Sequence, residues 1–376
     1  MKNIVLIPDS FKGTMSSAEV CAIMAAAFQR HMDVNVASVP VADGGEGSVD
    51  AFLQALGGEK VTLPVQGPFG EEVPGFYGLL PGDVAVVEMA AAAGLPLVGD
   101  RLEVMRTTTY GVGQLMADAL GKGAKKLIVG LGGSATNDGA CGLAAALGVR
   151  FYDEDGAAFV PVGGTLGRIA RVDVSGLAPA LQGVELVGMC DIDNPLCGEN
   201  GAAAVFGPQK GAGEADVALL DAGLANLARV LQRDLGADVL TLPGGGAAGG
   251  MGAGLVGMLG ARLQMGIQTV LDTVGFDGLL QTADLVLTGE GRLDSQSLRG
   301  KVVIGVARRA KAQGVPVVAV CGDVCEDLSG AYAEGVSAVF SINRVAKEFA
   351  AVKHRSKQDL ASTMEDIVRL LQVAGW

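Results

Sequence analysis

The sequence has only two histidines, His31 and His354, in 376 residues. A histidine-based zinc site needs several such side chains, and a Ser-His-Asp triad needs one as its base. Neither kind of site is therefore expected. Aromatic residues are also scarce, at 4 %, although 49 % of the residues are apolar. Most of the small and apolar residues are alanine, valine, leucine and glycine. This composition is typical of an α/β protein whose helices pack closely on parallel strands.

Positive charge is in short supply as well, because the formal net charge is −13. Such a chain repels nucleic acid and anionic membranes, so neither is expected as a partner. An anionic substrate would require local lysine or arginine, helix N-termini or a bridging cation.

The six cysteines form no CxxC pair and are interpreted as buried hydrophobic residues in a reducing compartment. No targeting peptide is recognised, since the apolar run at 4–7 ends at Pro8, and a cytoplasmic location is expected. The uncharged stretch 244–261 is too rich in glycine for a membrane span and predicts a loop that leads into a buried helix.

The two ends of the chain share one pattern of alternating strands and helices. Strands are predicted at 3–7, 34–39, 283–287, 315–320 and 336–342, and helices from Ser16 or Ser17 to Arg30, at 302–312 and at 357–371. Residues 60–88 predict hairpins instead. We therefore expect a doubly wound parallel sheet built from 1–60 and 281–376, interrupted by a second α/β domain at 61–280. Ligands of such sheets bind at the carboxyl ends of the strands.

One glycine motif admits an alternative function. Residues 130–135 read GxGxxA after a strand, and Asp153 follows near the distance that a nicotinamide cofactor requires. An NAD(P)-dependent hydroxy-acid oxidoreductase is the alternative. The favoured interpretation is a glycine-rich turn, Gly132-Gly133-Ser134, that offers backbone N–H groups to phosphate oxygens.

Five loops place glycine or a turn residue beside charge, most of them after an apolar strand. They contain Asp9 with Lys12, Asp43 with Glu46, Asp191 with Asp193, Lys210, and Glu290 with Arg292 and Asp294. Phosphoryl transfer needs carboxylates for Mg²⁺, lysine or arginine for the transferred group, and a carboxylate that accepts a proton. The shortage of histidine favours such an oxygen-bound cation.

Eight segments, in this order, resemble bacterial glycerate kinases of the first type: PDSFKGT, VADGGEGS, TTTYGVG, GGSATNDGA, CDIDNPL, FGPQKGA, PGGGAAGGMGAG and LTGEGRLDSQSLRGK. The resemblance covers about residues 1–342. It implies ATP-dependent phosphorylation of D-glycerate, with 2-phosphoglycerate favoured as product. It also implies a flavodoxin-like domain interrupted by an insert, with the active site in the cleft between them. A homodimer is compatible with the sequence, and the tail beyond Asn343 is expected to be a packing helix.

The resemblance also implies site residues. The expected catalytic residues are Asp191, Asp193, Lys210 and Arg292, where Asp191 is the candidate base and Asp193 its alternative. The expected substrate or nucleotide contacts are Asp9, Ser10, Lys12, Gly132, Gly133, Ser134, Asn137, Asp138 and Thr108. The expected metal ligands are Asp43, Glu46, Glu290 and Asp294. A mutual ion-pair network of Glu290, Arg292 and Asp294, and a capping or strand role for Thr108, remain open.

Overall fold

The computed structural model describes residues 1–41, 47–294 and 297–376, which divide into two compact units. The terminal unit comprises Met1–Asp43, Gln54–Leu56 and Gly266–Trp376, and the middle unit comprises Gly44–Leu53 and Gly57–Met265. The boundaries predicted at 60/61 and 280/281 stay predictions.

The strands of the described residues are numbered in chain order. They are β1 Lys2–Leu6, β2 Val34–Ser38, β3 Glu59–Gln66, β4 Glu72–Leu80, β5 Val84–Glu88, β6 Lys126–Gly130, β7 Arg150–Tyr152, β8 Ala158–Phe159, β9 Arg171–Asp173, β10 Glu185–Met189, β11 Arg262–Gln264, β12 Leu285–Thr288, β13 Arg292–Leu293, β14 Val317–Cys321, β15 Asp323–Val324 and β16 Ala338–Ser341.

The α-helices are numbered in the same way. They are α1 Ser17–His31, α2 Ser48–Leu56, α3 Ala90–Ala93, α4 Leu95–Val98, α5 Tyr110–Gly121, α6 Cys141–Ala146, α7 Ala202–Phe206, α8 Glu214–Leu235, α9 Ala247–Leu259, α10 Gly266–Thr273, α11 Phe276–Leu280, α12 Val302–Ala312, α13 Ser329–Ala333, α14 Phe349–Val352 and α15 Ser356–Val373. Short 3₁₀ turns lie at Gly163–Arg168, Pro179–Leu181, Pro208–Lys210, Ser297–Arg299 and Lys353–Arg355.

The terminal unit is built on a parallel sheet with the order β16-β14-β12-β1-β2. Counted within the sheet, this is the doubly wound order 2-1-3-4-5 of flavodoxin. The order reverses between β1 and β12, where Ile4 is in register with Leu285. The loops after these two strands therefore begin at the topological switch point, where ligands of such sheets bind.

Helices cover both faces of this sheet. Buried residues of α1 and α15 pack with Ile4, Leu6 and Leu287 on one face. Helix α12 contacts β12 and β14, and its buried residues lie outside that cluster, which places α12 on the other face. The start of α1 is a capping box, because Ser16 Oγ accepts from the Glu19 backbone N–H and Glu19 Oε2 accepts from the Ser16 N–H. The expected α/β fold is confirmed.

The middle unit contains a six-stranded sheet with the order β11-β10-β6-β5-β4-β3. Strands β11, β10, β6 and β5 are parallel, whereas β4 and β3 form the predicted hairpins. Met189 of β10 is in register with Gly130 of β6, so the loops after these strands start at one edge. A small antiparallel sheet, β8-β7-β9, completes the unit's strands within the described residues.

Helix α9 is the predicted buried helix after the glycine-rich loop. Its first turn is left-handed at Ala248, Gly249 and Gly250. Across the described residues, no helix combines the length and apolar character that a membrane crossing requires.

Candidate active site

A pocket of about 670 Å³ opens at the carboxyl ends of the strands of the terminal unit. We call it the switch-point pocket. Its wall is formed by Asp9, Ser10, Phe11, Lys12, Thr14, Glu290, Gly291, Arg292, Asp294, Lys301, Gly322, Asp323, Ile342, Asn343, Lys347, Phe349, Val352, Ser356 and Asp359. The loops after β1 and β12 thus bring together six of the residues predicted from the sequence: Asp9, Ser10, Lys12, Glu290, Arg292 and Asp294.

Glu290 is a buried acid of this pocket. Its side chain is 5 % exposed, and its Oε1 has no hydrogen-bond partner among the described residues. Burial, followed by the charges of Asp9 and Asp294, raises the pKa of Glu290 to about 7, although Ser297 and Lys301 act in the opposite direction. The pocket therefore holds a carboxyl group whose protonation state changes near neutral pH.

The neighbouring charges are more accessible. Arg292 is exposed, and its Nε lies 3.8 Å from Asp294 Oδ2 and 3.6 Å from Asp323 Oδ2. Lys12 is also exposed, and the Ser10 N–H donates to Asp9 Oδ1 at 2.6 Å. Part of the ion-pair network considered for this loop is present, with Asp323 in place of Glu290. At these distances the arginine remains able to turn toward an anion.

A second polar cluster lies inside the middle unit, around the buried side chain of Lys210. We call Ser134, Thr136, Asn137, Asp138 and Lys210 the buried lysine cluster. Lys210 is 2 % exposed, and its Nζ donates to Ser134 Oγ at 2.6 Å and to the Thr136 carbonyl at 2.7 Å. Burial lowers its pKa to about 7, while Asp138 acts to raise it. This ammonium group can therefore lose its proton near neutral pH.

Glycine at 249 lets the chain approach the carbonyl that holds the lysine. Gly249 has φ +68°, and a Cβ there would stand 2.0 Å from the Thr136 carbonyl oxygen. Only a residue without Cβ fits at position 249, beside the loop after β6. The motif PGGGAAGGMGAG thus positions the acceptor of Lys210.

The buried carboxylate of Asp138 accepts hydrogen bonds from other residues of the middle unit. It accepts from the Thr109 N–H and hydroxyl at 2.8 Å each, and from the N–H groups of Gly142 and Ala140 at 3.2 Å each. Burial raises its pKa, whereas these donors act to lower it. Thr109 belongs to the motif TTTYGVG that was noted in the sequence, but its contact with Asp138 was not predicted. Thr108 is buried, and its hydroxyl accepts from the Tyr110 N–H at 3.2 Å.

Asn137 is 1 % exposed, yet neither its amide oxygen nor its amide nitrogen has a hydrogen-bond partner in the described parts of the chain. The same holds for the Thr136 hydroxyl. Buried polar atoms are nearly always paired, so these atoms indicate a place for a ligand or ordered water. Gly132 and Gly133 precede this segment, and the Gly133 carbonyl accepts from the Leu95 N–H at 2.9 Å.

Asp191 and Asp193 follow β10, and both are exposed. Their loop is backed by Gly244, where a Cβ would stand 2.8 Å from Cys190 Sγ. Because β10 and β6 are parallel neighbours, these acids follow the same edge of the sheet as the buried lysine cluster. The expected ligands Asp43 and Glu46 lie outside the described residues.

A comparison with known proteins identifies the family. The sequence model described as "Glycerate kinase family" matches residues 4–372. The chain belongs to the glycerate kinase family. It is 45 % identical over 346 residues to a glycerate kinase of Halalkalibacterium halodurans, which covers 91 % of each chain. It is 44 % identical over 342 residues to the glycerate 2-kinase of Escherichia coli strain K12, which covers 90 % of each.

Among solved structures, one from Salmonella typhimurium LT2 described as glycerate kinase 2 has a TM-score of 0.88 and 41 % identity. The similarity covers 100 % of this chain and 99 % of that one. The predicted family resemblance is thus confirmed, and it extends beyond residue 342 into the tail.

The oxidoreductase alternative is not supported by these comparisons, and the structure gives a physical reason. The helix of a dinucleotide-binding turn begins within its glycine motif. Here the next helix after β6 is α6, which begins at Cys141, well after the motif at 130–135. Asp153 follows β7, which belongs to the small antiparallel sheet rather than to the next parallel strand.

Proposed function

We propose that this protein transfers the γ-phosphoryl group of ATP to D-glycerate and that 2-phosphoglycerate is the product. The observation that carries the proposal is the family match over residues 4–372. The switch-point pocket supports it, because acids and bases converge there at the place where a doubly wound sheet binds its ligand.

We propose that the terminal unit binds the nucleotide. Lys12 and Arg292, both exposed on the pocket wall, would neutralise phosphate oxygens. Asp9, Ser10 and Lys301 would complete the polar wall around the polyphosphate.

Magnesium fits this wall as a partner of the nucleotide rather than as a resident ion. Within the described residues, no three acidic, histidine or cysteine side chains form a group that could hold a metal ion alone. Mg²⁺ usually takes one or two carboxylates and keeps phosphate oxygens and waters as its other ligands. The carboxylates of Glu290, whose Oε1 has no hydrogen-bond partner among the described residues, and of Asp294 are suited to that role. Bound there, Mg²⁺ would screen the phosphates from the acidic protein.

We propose that the middle unit contributes the proton acceptor and an anion-binding group. Asp191 would accept the proton of the attacking hydroxyl, with Asp193 as its alternative. Lys210 and Asn137 would bind an anionic oxygen, because an anion would hold the buried amine of Lys210 in its charged form and the amide atoms of Asn137 have no hydrogen-bond partner among the described residues. Gly132, Gly133 and Ser134 stay predicted contacts for the phosphates. Asp138 would hold the loop that contains these three residues, because it accepts hydrogen bonds from Thr109, Ala140 and Gly142.

Proton-coupled phosphorus NMR of a reaction with D-glycerate and Mg-ATP tests the proposal. A 2-phosphate ester is coupled to one C–H proton and gives a doublet, whereas a 3-phosphate ester is coupled to a CH₂ group and gives a triplet. We expect the doublet together with ADP, and neither signal when a chelator removes the magnesium. ADP without a new phosphate ester, or no ADP at all, would contradict the proposal. Cytoplasmic location, homodimer formation and a cleft between the domains stay predictions.

A further inference from the structure

The segment after β16 closes one side of the switch-point pocket. Ile342, Phe349 and Val352 belong to the pocket wall, although the sequence predicted only a packing helix beyond residue 343. The segment also runs beside the loop after β1, since a Cβ on Gly13 would stand 3.6 Å from Lys353 Nζ. The tail therefore adds apolar side chains, together with polar ones such as Lys347 and Asp359, to a pocket whose other loops are charged.

The size and composition of the pocket decide which substrate it suits. Glycerate is a three-carbon acid and would leave most of a pocket of about 670 Å³ empty. Glycerate also has no apolar group for Ile342 and Val352 to cover. A nucleoside triphosphate has a polyphosphate for the charged loops and a flat heterocycle for the apolar wall.

Phe349 is the residue of this wall that is suited to a heterocycle. It lies at the start of α14, lines the pocket and is 60 % exposed. An aromatic ring that is exposed at a pocket offers its π-face to a nucleobase, and stacking of this kind tolerates any base. We propose that Phe349 is the stacking platform for the base of the nucleotide in the switch-point pocket. This inference rests on the proposed use of ATP.

Two ligands that differ by the nucleoside separate stacking from phosphate binding. Isothermal titration of Mg-ATP and of magnesium tripolyphosphate would be compared for the wild type, Phe349→Ala and Phe349→Trp. Tyr332→Ala is the matched control, because Tyr332 is a 48 % exposed aromatic of the same unit that is not on the pocket wall. Phe349→Ala should weaken ATP binding about tenfold or more and leave tripolyphosphate binding unchanged. Phe349→Trp should restore ATP binding, and Tyr332→Ala should have no effect.

The inference is overturned if Phe349→Ala leaves ATP affinity unchanged, or if it weakens ATP and tripolyphosphate equally. Turnover with D-glycerate is measured separately. If the wild type binds ATP through Phe349 but makes no phosphoglycerate, the proposed function fails while the stacking role stands. If phosphoglycerate forms and Phe349→Ala keeps the wild-type Michaelis constant for ATP, the stacking role fails while the function stands.

Discussion

Each unit contains a buried ionisable side chain whose pKa is shifted to about 7, but the two side chains are of opposite charge type. Glu290 of the terminal unit is 5 % exposed and has Asp9 and Asp294 as its acidic neighbours. Lys210 of the middle unit is 2 % exposed and is held by Ser134 and by the Thr136 carbonyl.

The comparison shows that burial moves the pKa values of an acid and of a base in opposite directions. Burial disfavours the charged form of either side chain, so it raises the pKa of the carboxyl group and lowers that of the ammonium group. Both pKa values come to about 7. A cation or anion that binds would shift each group back to its charged form. The same burial should give stability a pH dependence of opposite sign in the two units.

The largest expected effect is that of Lys210→Met on the pH dependence of stability. Between pH 7 and 10.5 the unfolded chain keeps a lysine proton that the folded protein has lost, so the free energy of unfolding rises with pH. At about 1.4 kcal/mol per pH unit, the complete rise is on the order of 5 kcal/mol. Urea denaturation at several pH values should show this rise in the wild type and its loss in Lys210→Met.

The exposed Lys122 of the same unit provides the control, since Lys122→Met should keep the wild-type rise. Parallel curves for the wild type and Lys210→Met across this pH range would show that Lys210 keeps its proton in the folded protein.

Glu290→Gln should produce a smaller effect of opposite sign. Between pH 4.5 and 7 the folded protein holds a carboxyl proton that the unfolded chain releases, so the free energy of unfolding of the wild type falls as pH rises. Above pH 7 the accumulated loss is about 3 kcal/mol. The neutral glutamine avoids it, so the variant should gain stability relative to the wild type across this interval, measured by urea denaturation with a chelator present.

Glu326→Gln, at an exposed position of the same unit, should follow the wild type. If the stability of Glu290→Gln also follows that of the wild type at all pH values, burial does not raise the pKa of this carboxyl group. The comparison between the two units then fails.

Asp191→Asn tests whether Asp191, an exposed acid of the middle unit, accepts the proton of the attacking hydroxyl. Loss of a positioned base should lower turnover with D-glycerate and Mg-ATP by about a hundredfold, with Asp193→Asn affected less. Steady-state kinetics of both variants would decide between the two acids. Turnover close to that of the wild type would remove Asp191 from the role, and a larger loss in Asp193→Asn would transfer the role to Asp193.

The sequence predicted that charged residues after neighbouring strands lie close together, and the switch-point pocket brings several of them together. Asp9, Glu290 and Arg292 follow apolar strands, and parallel strands bring their carboxyl ends to one edge. The helix start at Ser16 or Ser17 was predicted from local pattern, since the capping partners Ser16 and Glu19 are only three residues apart.

Contacts between distant parts of the chain could not be predicted in this way. Thr109 binds Asp138 through tertiary structure, and Phe349 reaches the pocket through a tail with no marked pattern. The burial of Lys210 was also hidden, because lysine between glycines is typical of a solvated turn. Only the fold shows that this lysine is enclosed.

The central claim is that burial lowers the pKa of Lys210 to about 7, and NMR tests it most directly. Lysine labelled with ¹³C at the ε carbon would be followed during a pH titration, with Lys210→Met used to assign the signal. We expect the Lys210 resonance to titrate near pH 7. A resonance that titrates near the ordinary value of 10.5 would contradict the account.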